Sequence, residues 1–405
     1  LNCGDSYPNI PETVRRGLVD EADVDRSLTR LLAARFRLGE LDGAPTPWDS
    51  LPEDIVEGPA HLALAREMAR ESLVLLENDG LLPLSGAGRI AVVGPNADER
   101  EMLQGNYNPV PEHCPTLLEA LEERFADVRH VRGCSHVLES TPLKEVLDSL
   151  EGYDTVIFAG GISPRLEGEE LPVELPGFKG GDRTSLELPQ VQRDLIAALH
   201  RAGKKVILVN FSGSAMGLVP ETAACSAILQ AWYPGEEGAA AIAEVLCGDV
   251  NPSGKLPVTF YKNADQLPDF EDYNMEGHTY RYFRGEPQWP FGYGLSYTTF
   301  QYGKPRIKGR TLEVPVQNTG SVDGTEVVQL YTRLEGDDDG PVKSLRGFQR
   351  VSIPAGATVK VRFKLTGDVF LSWSPEARDM VPVHGTWQLM TGGSSTSLQT
   401  VICKW

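Results

Sequence analysis

The chain has 405 residues, 41% hydrophobic and 23% charged, which suits two or three globular domains with sizeable cores. Lys and Arg number 38 against 57 Asp and Glu, a net charge of −19; without a basic stretch, nucleic acid and anionic membrane surfaces are excluded as partners, because both require clustered Lys and Arg. No apolar run approaches the ~18 residues of a membrane-spanning helix, and a neutral or cationic small molecule meets no electrostatic barrier.

The chain opens on Leu1 with neither an initiator Met nor a signal-peptide pattern, so it reads as the C-terminal part of a longer protein. Residues 10–38 carry two helical stretches. In the second, Val24, Leu28, Leu31, Leu32 and Phe36 recur at helical spacing, and Gly39 stops it. "DGAPTPWDSLPED" is a Pro- and Asp-rich linker. Pro59 opens a further helix that continues through "HLALAREMARESLVLL". Alternation follows: strands "RIAVVGP", "YDTVIFAGG", "KKVILVN" and "SAILQAWY" are interleaved with helices "TLLEALEERF", "LPQVQRDLIAALHRAG" and "EEGAAAIAEVLCG". Continuous apolar strands between amphipathic helices predict a mainly parallel sheet covered on both faces. From about residue 300 the period becomes two, through Leu312, Val314 and Val316 and through Val359, Val361, Phe363 and Leu365, which predicts an antiparallel β-sandwich. An aromatic, Gly-rich connector separates the two patterns. The expected partition is 1–45 helical, 46–57 linker, 58–265 α/β, 266–299 connector and 300–405 all-β.

Most motifs that carry chemistry are missing. There is no phosphate-binding G-x-x-x-x-G-K-[ST] and no G-x-G-x-x-G after a strand. "FSGSAMG" does not fit a nucleophile elbow, because Gly213 directly precedes Ser214, and it reads as a backbone turn. The seven histidines show no metal-ligand spacing. Of the six cysteines (Cys3, Cys114, Cys134, Cys225, Cys247 and Cys403) none forms a C-x-x-C pair; Cys114–Cys134 is the candidate disulfide for an oxidising compartment. Asn210 opens a glycosylation pattern, "NFS", but ends an apolar strand and is expected to be buried.

Carboxylates remain. "GGISPRLEGEELPVELPGFKGGDR" follows the strand "YDTVIFAG" and places Glu167, Glu169, Glu170 and Glu174 in one loop, at the strand end where α/β sheets bind ligands. A carboxyl group becomes a general acid when burial or a neighbouring carboxylate raises its pKa. A charge run in a loop is also the ordinary signature of a solvated surface, and the residues alone leave both readings open.

Ordered stretches along the whole chain resemble glycoside hydrolase family 3, closest to its bacterial β-xylosidase and β-glucosidase members. They include "LNCGDSYPNI", "LAREMARESLVLLEN", "IAVVGPNAD", "GNYNPVPEHC", "LEGEE…GGDR", "ILQAWYPGEEG", "GDVNPSGKLPVTFY", "PFGYGLSYTTF" and "NTGSVDGTEVVQLY". The resemblance implies an N-terminal (β/α)8 barrel, of which residues 1–45 are the tail, then an α/β sandwich, then a fibronectin type III-like domain. It implies an exo-acting, retaining β-glycosidase, β-D-xylosidase ahead of β-glucosidase. The Asp nucleophile sits in an S-D-W-type motif of the barrel, and the acid/base Glu lies in a loop of the α/β sandwich. No S-D-W occurs in these 405 residues, so the nucleophile is expected outside this chain. A non-catalytic carbohydrate-binding or scaffolding subunit is the alternative. Aligning "LEGE" with the family's E-x-E places the acid/base at Glu169. The inserted "ELPVELPGFKGG" before Asp182 and Arg183 leaves Glu170 and Glu167 as rivals. Asp182 and Arg183 order the loop by an ion pair or touch substrate hydroxyls, and Tyr107, with Asn108 beside it, either packs structurally, the favoured reading, or lies near the substrate. The implied partners are an oligosaccharide or aryl glycoside and the barrel, with a homodimer as a candidate assembly. The implied compartment is periplasmic or secreted, with the cytoplasm left open. No cofactor or metal is implied.

Overall fold

The structure, a computed structural model, describes residues 7–85 and 88–405. Cys3 and the first part of "LNCGDSYPNI" lie outside them. The described chain divides into two compact units, one ending at His61 and the other running from Leu62 to Trp405.

The first unit holds the helices Ile10–Arg15 and Glu21–Arg37. Asp20 caps the second, its carboxylate accepting from Ala22 N at 3.0 Å. Glu21 and Asp23 in the first turn and Arg35 and Arg37 in the last complement the helix dipole. The apolar stripe is there as its spacing predicts, but Leu28, Leu31 and Phe36 on it are exposed.

The second unit begins with an α/β domain. Its strands in chain order are β1 (Val74–Asn78), β2 (Arg89–Val93), β3 (Asp127–Val131), β4 (Thr155–Gly161), three short loop strands β5 (Glu174–Leu175), β6 (Phe178–Lys179) and β7 (Asp182–Arg183), then β8 (Lys205–Phe211) and β9 (Ala227–Gln230). The main sheet runs β1-β9-β8-β4-β2-β3. Every pairing in it is parallel except the edge pair β1–β9.

Alternation within the strands builds two cores. In β4, Ile157 and Ala159 face one side, with the helices Leu117–Glu122 and Gly238–Cys247. Val156 and Phe158 face the other, with the helix Gln190–Arg201. Each fully buried Val, Leu, Ile or Phe contributes about 1.5–3 kcal/mol, so this double-sided burial dominates the stability of the domain. The helix Leu117–Glu122 starts at a capping box: Glu119 N donates to Thr116 Oγ1 at 3.2 Å, and Thr116 N to Glu119 Oε2 at 2.8 Å.

Two expectations are corrected, and one strand was not foreseen. The helix from Pro59 ends at Ser72, and "VLLEN" is β1 rather than more helix. Leu73, Val74, Leu75 and Leu76 are all fully buried, which a helix with a single apolar face cannot achieve and a strand covered on both sides can. β3, "DVRHV", is an edge strand with no fully buried residue, so its apolar signal was too thin to announce it. Cys114 and Cys134 are both free thiols. They belong to the cores on opposite faces of the sheet, out of reach of the ~5.5 Å Cα spacing that a disulfide requires.

After the connector, Thr311–Asn318 pairs with Phe300–Tyr302, Arg306–Lys308 and Thr358–Lys364. A second sheet orders Ser344–Ile353, Gly324–Leu334, Thr386–Gly392 and Leu398–Lys404. Leu312, Val314, Val316, Val361 and Phe363 alternate into the shared core, the arrangement of an antiparallel sandwich. The connector is tightly packed: Tyr280 stacks on Phe291, centroids 4.2 Å apart, and meets Tyr331 edge-on.

Candidate active site

The sheet reverses its winding between β2 and β4. Chain from β2 crosses to one face, chain from β4 to the other, and the loops after the two strands flank a crevice at their C-terminal ends. Such switch points are where open α/β sheets hold ligands. Here a cavity of about 900 Å3 is lined by Gly105, Asn106, Asn108, Ser163 and Leu166, with His136 alongside.

Local structure fixes the root of the glutamate loop. Gly161 closes β4 at φ +107°, and a Cβ there would stand 2.0 Å from Phe211 O, so the strand can bend into the loop only with glycine. Asn96 Nδ2 donates to Gly160 O and Ile162 O. Gln192 Oε1 accepts from Gly161 N at 2.9 Å while its Nε2 donates to Gly161 O and His136 O. His136 Nε2 donates to Asn96 Oδ1 at 2.7 Å. This arrangement leaves the ring neutral, and burial pushes its pKa down to about 4, with Arg132 adding to the effect. The network is buried and its members satisfy one another, which makes it rigid.

The inserted segment is folded as well. β5, β6 and β7 form a small antiparallel sheet. Pro176-Gly177 turns between the first two, with Gly177 at φ +86°, as a type II turn demands. Gly180-Gly181 turns between the second pair, both with positive φ, the two-residue hairpin turn. Phe178 is buried in the core beneath and pins the flap.

The two leading glutamates occupy different settings. The Glu167 carboxylate accepts three hydrogen bonds: from Gly213 N at 2.5 Å, Ser214 Oγ at 2.6 Å and Tyr233 OH at 2.6 Å. Burial, then the Glu167 charge, pushes the Tyr233 hydroxyl well above the ordinary phenol range, so it stays a donor. Arg183 stands behind the same group, donating from Nη1 to Ser214 Oγ at 2.9 Å and Ala215 O at 2.7 Å, and from Nε to Ser185 O at 3.1 Å. Burial lowers its pKa and the Glu167 charge opposes that shift.

Glu169 is exposed, and its Oε2 accepts one hydrogen bond, from Tyr107 OH at 2.7 Å. That bond, and then the carboxylate charge, raises the Tyr107 pKa. Tyr107 is 90% exposed and sits at φ +56° beyond the short helix Glu101–Gln104, with Asn106 Nδ2 donating to Glu167 O at 3.0 Å.

The structure therefore brings Glu167 to Arg183, and Glu169 to Tyr107. Glu170 is exposed at φ +50° and Glu174 is exposed on β5. Asp182 is exposed on β7 next to inward-facing Arg183, and neighbouring strand residues point to opposite faces, so the ion pair expected between them is not formed. Arg183, Asp182, Glu167 and Thr259 line a second cavity of about 410 Å3; in it Arg183 Nη2 and Thr259 Oγ1 are buried without a partner among the described residues. Asn210 is buried, its Nδ2 donating to Gln230 Oε1 at 2.6 Å, so it is closed to glycosylation as its strand position suggests. Sequence reasoning did not single out Gly213, Ser214 or Tyr233 as partners of Glu167. "FSGS" and "AWYPG" end neighbouring strands β8 and β9, and that shared edge was the available signal. Among the described residues no group of three or more His, Cys, Asp or Glu is placed to hold a metal ion.

The sequence pattern of the glycosyl hydrolase family 3 C-terminal domain matches residues 73–297, more than half of the chain. The chain belongs to glycosyl hydrolase family 3. In this family 3 chain a fibronectin type III-like domain matches residues 326–395. A xylan 1,4-beta-xylosidase from Xylanibacter ruminicola is 36% identical, the alignment covering 98% of this chain and 64% of the relative. A periplasmic beta-glucosidase from Salmonella typhimurium is 32% identical over 93% of this chain and 55% of its own length. A solved β-glucosidase from Erythrobacter marinus superposes with a TM-score of 0.83 at 33% identity, covering 98% of this chain and 57% of that structure. The family 3 chain thus spans little more than half to just under two thirds of these relatives. No described helix is long and apolar enough to cross a membrane.

Proposed function

We propose that this chain supplies the acid/base arm of an exo-acting, retaining β-glycosidase, with terminal β-D-xylosyl units as substrate and Glu169 as the acid/base. The observation that carries the reading is the division of labour within "EGE": Glu167 is consumed by three fixed donors, whereas Glu169 projects from the same rigid loop with one adjustable tyrosine partner. A group that must give and take a proton in one turnover has to be reachable and free of competing bonds. The nucleophile is the Asp of the barrel portion. In the first step it attacks the anomeric carbon, the glycosidic C–O bond breaks, and Glu169 protonates the leaving oxygen. In the second step Glu169 takes a proton from water, which displaces the nucleophile. The two carboxyls stand about 5–5.5 Å apart in retaining enzymes. Tyr107 holds the Glu169 carboxyl in its rotamer, Arg183 positions the loop through the Ser214 turn, and Asp182 faces the substrate side. A β-glucosidase is the second reading, favoured by the names of the Salmonella and Erythrobacter relatives. The same Salmonella name supports a periplasmic or secreted location.

The test is Glu169→Gln in the enzyme that includes the barrel. Cleavage of xylobiose, whose leaving group needs a proton, should fall by about 10²–10⁴-fold, while an activated aryl β-xyloside should lose far less in its first step. Equal losses on both substrates would sink the acid role.

A further inference from the structure

The β-sandwich carries a cleft of about 640 Å3 that the glycosidase reading does not use. Four of the twelve buried side-chain polar atoms left without a partner among the described residues line it: Arg281 Nε, Arg346 Nε, Thr332 Oγ1 and Ser344 Oγ. Thr332 and Ser344 sit directly opposite each other on paired strands and are 1% and 5% exposed. A buried polar group without a partner costs about 1–3 kcal/mol. Four in one cleft mark a surface built to be completed by a polar ligand.

The charges specify its sign. Arg346 is held in place, its Nη2 donating to Leu371 O at 2.6 Å, and Arg281 lies over the Tyr282 ring at 5.5 Å. Burial, then the like charge of Arg281, lowers the Arg346 pKa, and Tyr280 opposes the shift. Of the three acidic residues of the same cleft, Glu335 and Asp339 are solvent-exposed and Asp337 is half-buried, its Oδ2 accepting from Ser372 Oγ at 3.4 Å. The cleft therefore sets two half-buried arginines beside two unpartnered hydroxyls, with exposed acidic groups at its approach. On a chain of net charge −19, that arrangement penalises a dianion such as phosphate more than a single carboxylate, which a guanidinium fork matches in geometry. Trp373, 58% exposed on the hairpin wall, offers the flat apolar face on which a sugar ring packs.

We propose that this cleft binds a hexuronate, a pyranose bearing one carboxylate, with the carboxylate on Arg281 and Arg346, ring hydroxyls on Thr332 and Ser344, and Trp373 beneath the ring. The site stands apart from the catalytic reading and does not depend on it.

Calorimetric titration of this chain with sodium D-glucuronate, D-glucose and inorganic phosphate tests it. Glucuronate should saturate, with glucose at least about tenfold weaker and phosphate weaker than glucuronate; Arg346→Gln should weaken glucuronate by about tenfold or more and leave glucose unchanged. Equal affinity for glucose and glucuronate would remove the carboxylate from the proposal. Phosphate binding tighter than glucuronate would make the cleft an anion site only and overturn it, as would no saturation up to about 50 mM. If Arg346→Gln does not fold, Thr332→Val and the exposed-site change Trp373→Ala decide: glucuronate binding undiminished in both overturns the proposal.

Discussion

Glu167 and Glu169 differ by two positions, yet one is bound into the scaffold by three donors and the other stands exposed with a single tyrosine partner. Replacing Glu167 by Gln removes a charged acceptor from Gly213 N, Ser214 Oγ and Tyr233 OH and leaves the Arg183 charge less compensated. We expect a stability loss of about 1–3 kcal/mol, read by urea unfolding, whereas Glu169→Gln should stay within about 0.5 kcal/mol of wild type, as exposed changes do. The opposite order would reverse the roles. His136 makes a second residue-level prediction. Its folded pKa is about 4 against an ordinary 6.5, so the unfolded chain binds the extra proton. The contribution to stability is then fully present above about pH 6.5 and is lost as pH falls toward 4. Between pH 7.5 and pH 5 the loss is about 2 kcal/mol. In His136→Gln the unfolding free energy should change by that much less over the same interval, and identical pH profiles would show that burial does not hold the ring neutral.

Elements depend on partners that lie far away in sequence. Arg66 and Arg70, on the helix Pro59–Ser72, converge on Glu244 of the helix Gly238–Cys247; Arg70 makes two hydrogen bonds of 2.6 Å to it. Burial alone would raise the Glu244 pKa, but Arg70 and then Arg66 hold it below the ordinary value. Glu244 is 6% exposed, but the two arginine side chains are about a third exposed and Arg66 also pairs with Glu237, so Glu244→Gln should cost about 1–3 kcal/mol. A fall in melting temperature no larger than that of an exposed glutamate variant would contradict this. The legibility of the elements follows the same logic. β4 and β8 announced themselves because both faces are apolar, and the sandwich strands because their period is two. β1 was hidden because its apolar run abuts a helix without punctuation, and whether it continues or turns is decided by β9, some 150 residues later. Within the site, "EGE" and the Gly-Gly pairs were visible. The anchors of Glu167 were not, because nothing local to Ser214 or Tyr233 says that a carboxylate will arrive from another loop.

For the molecule as a whole, topology places the chemistry. The winding reversal between β2 and β4 opens the crevice, the Asn96–Gln192–His136 network stiffens its floor, and "EGE" sits in the loop between β4 and the folded flap of β5–β7. Family membership and the relatives' names then support the glycosidase proposed above. The most direct test of that account is chemical rescue of Glu169→Ala in the barrel-containing enzyme, using an activated aryl β-xyloside and azide. An anion needs no general base, so azide should intercept the glycosyl-enzyme, raise turnover and yield β-xylosyl azide of retained configuration, while Glu167→Ala shows no such rescue. Rescue of Glu167→Ala instead, or wild-type kinetics in Glu169→Ala, would move the acid/base away from Glu169.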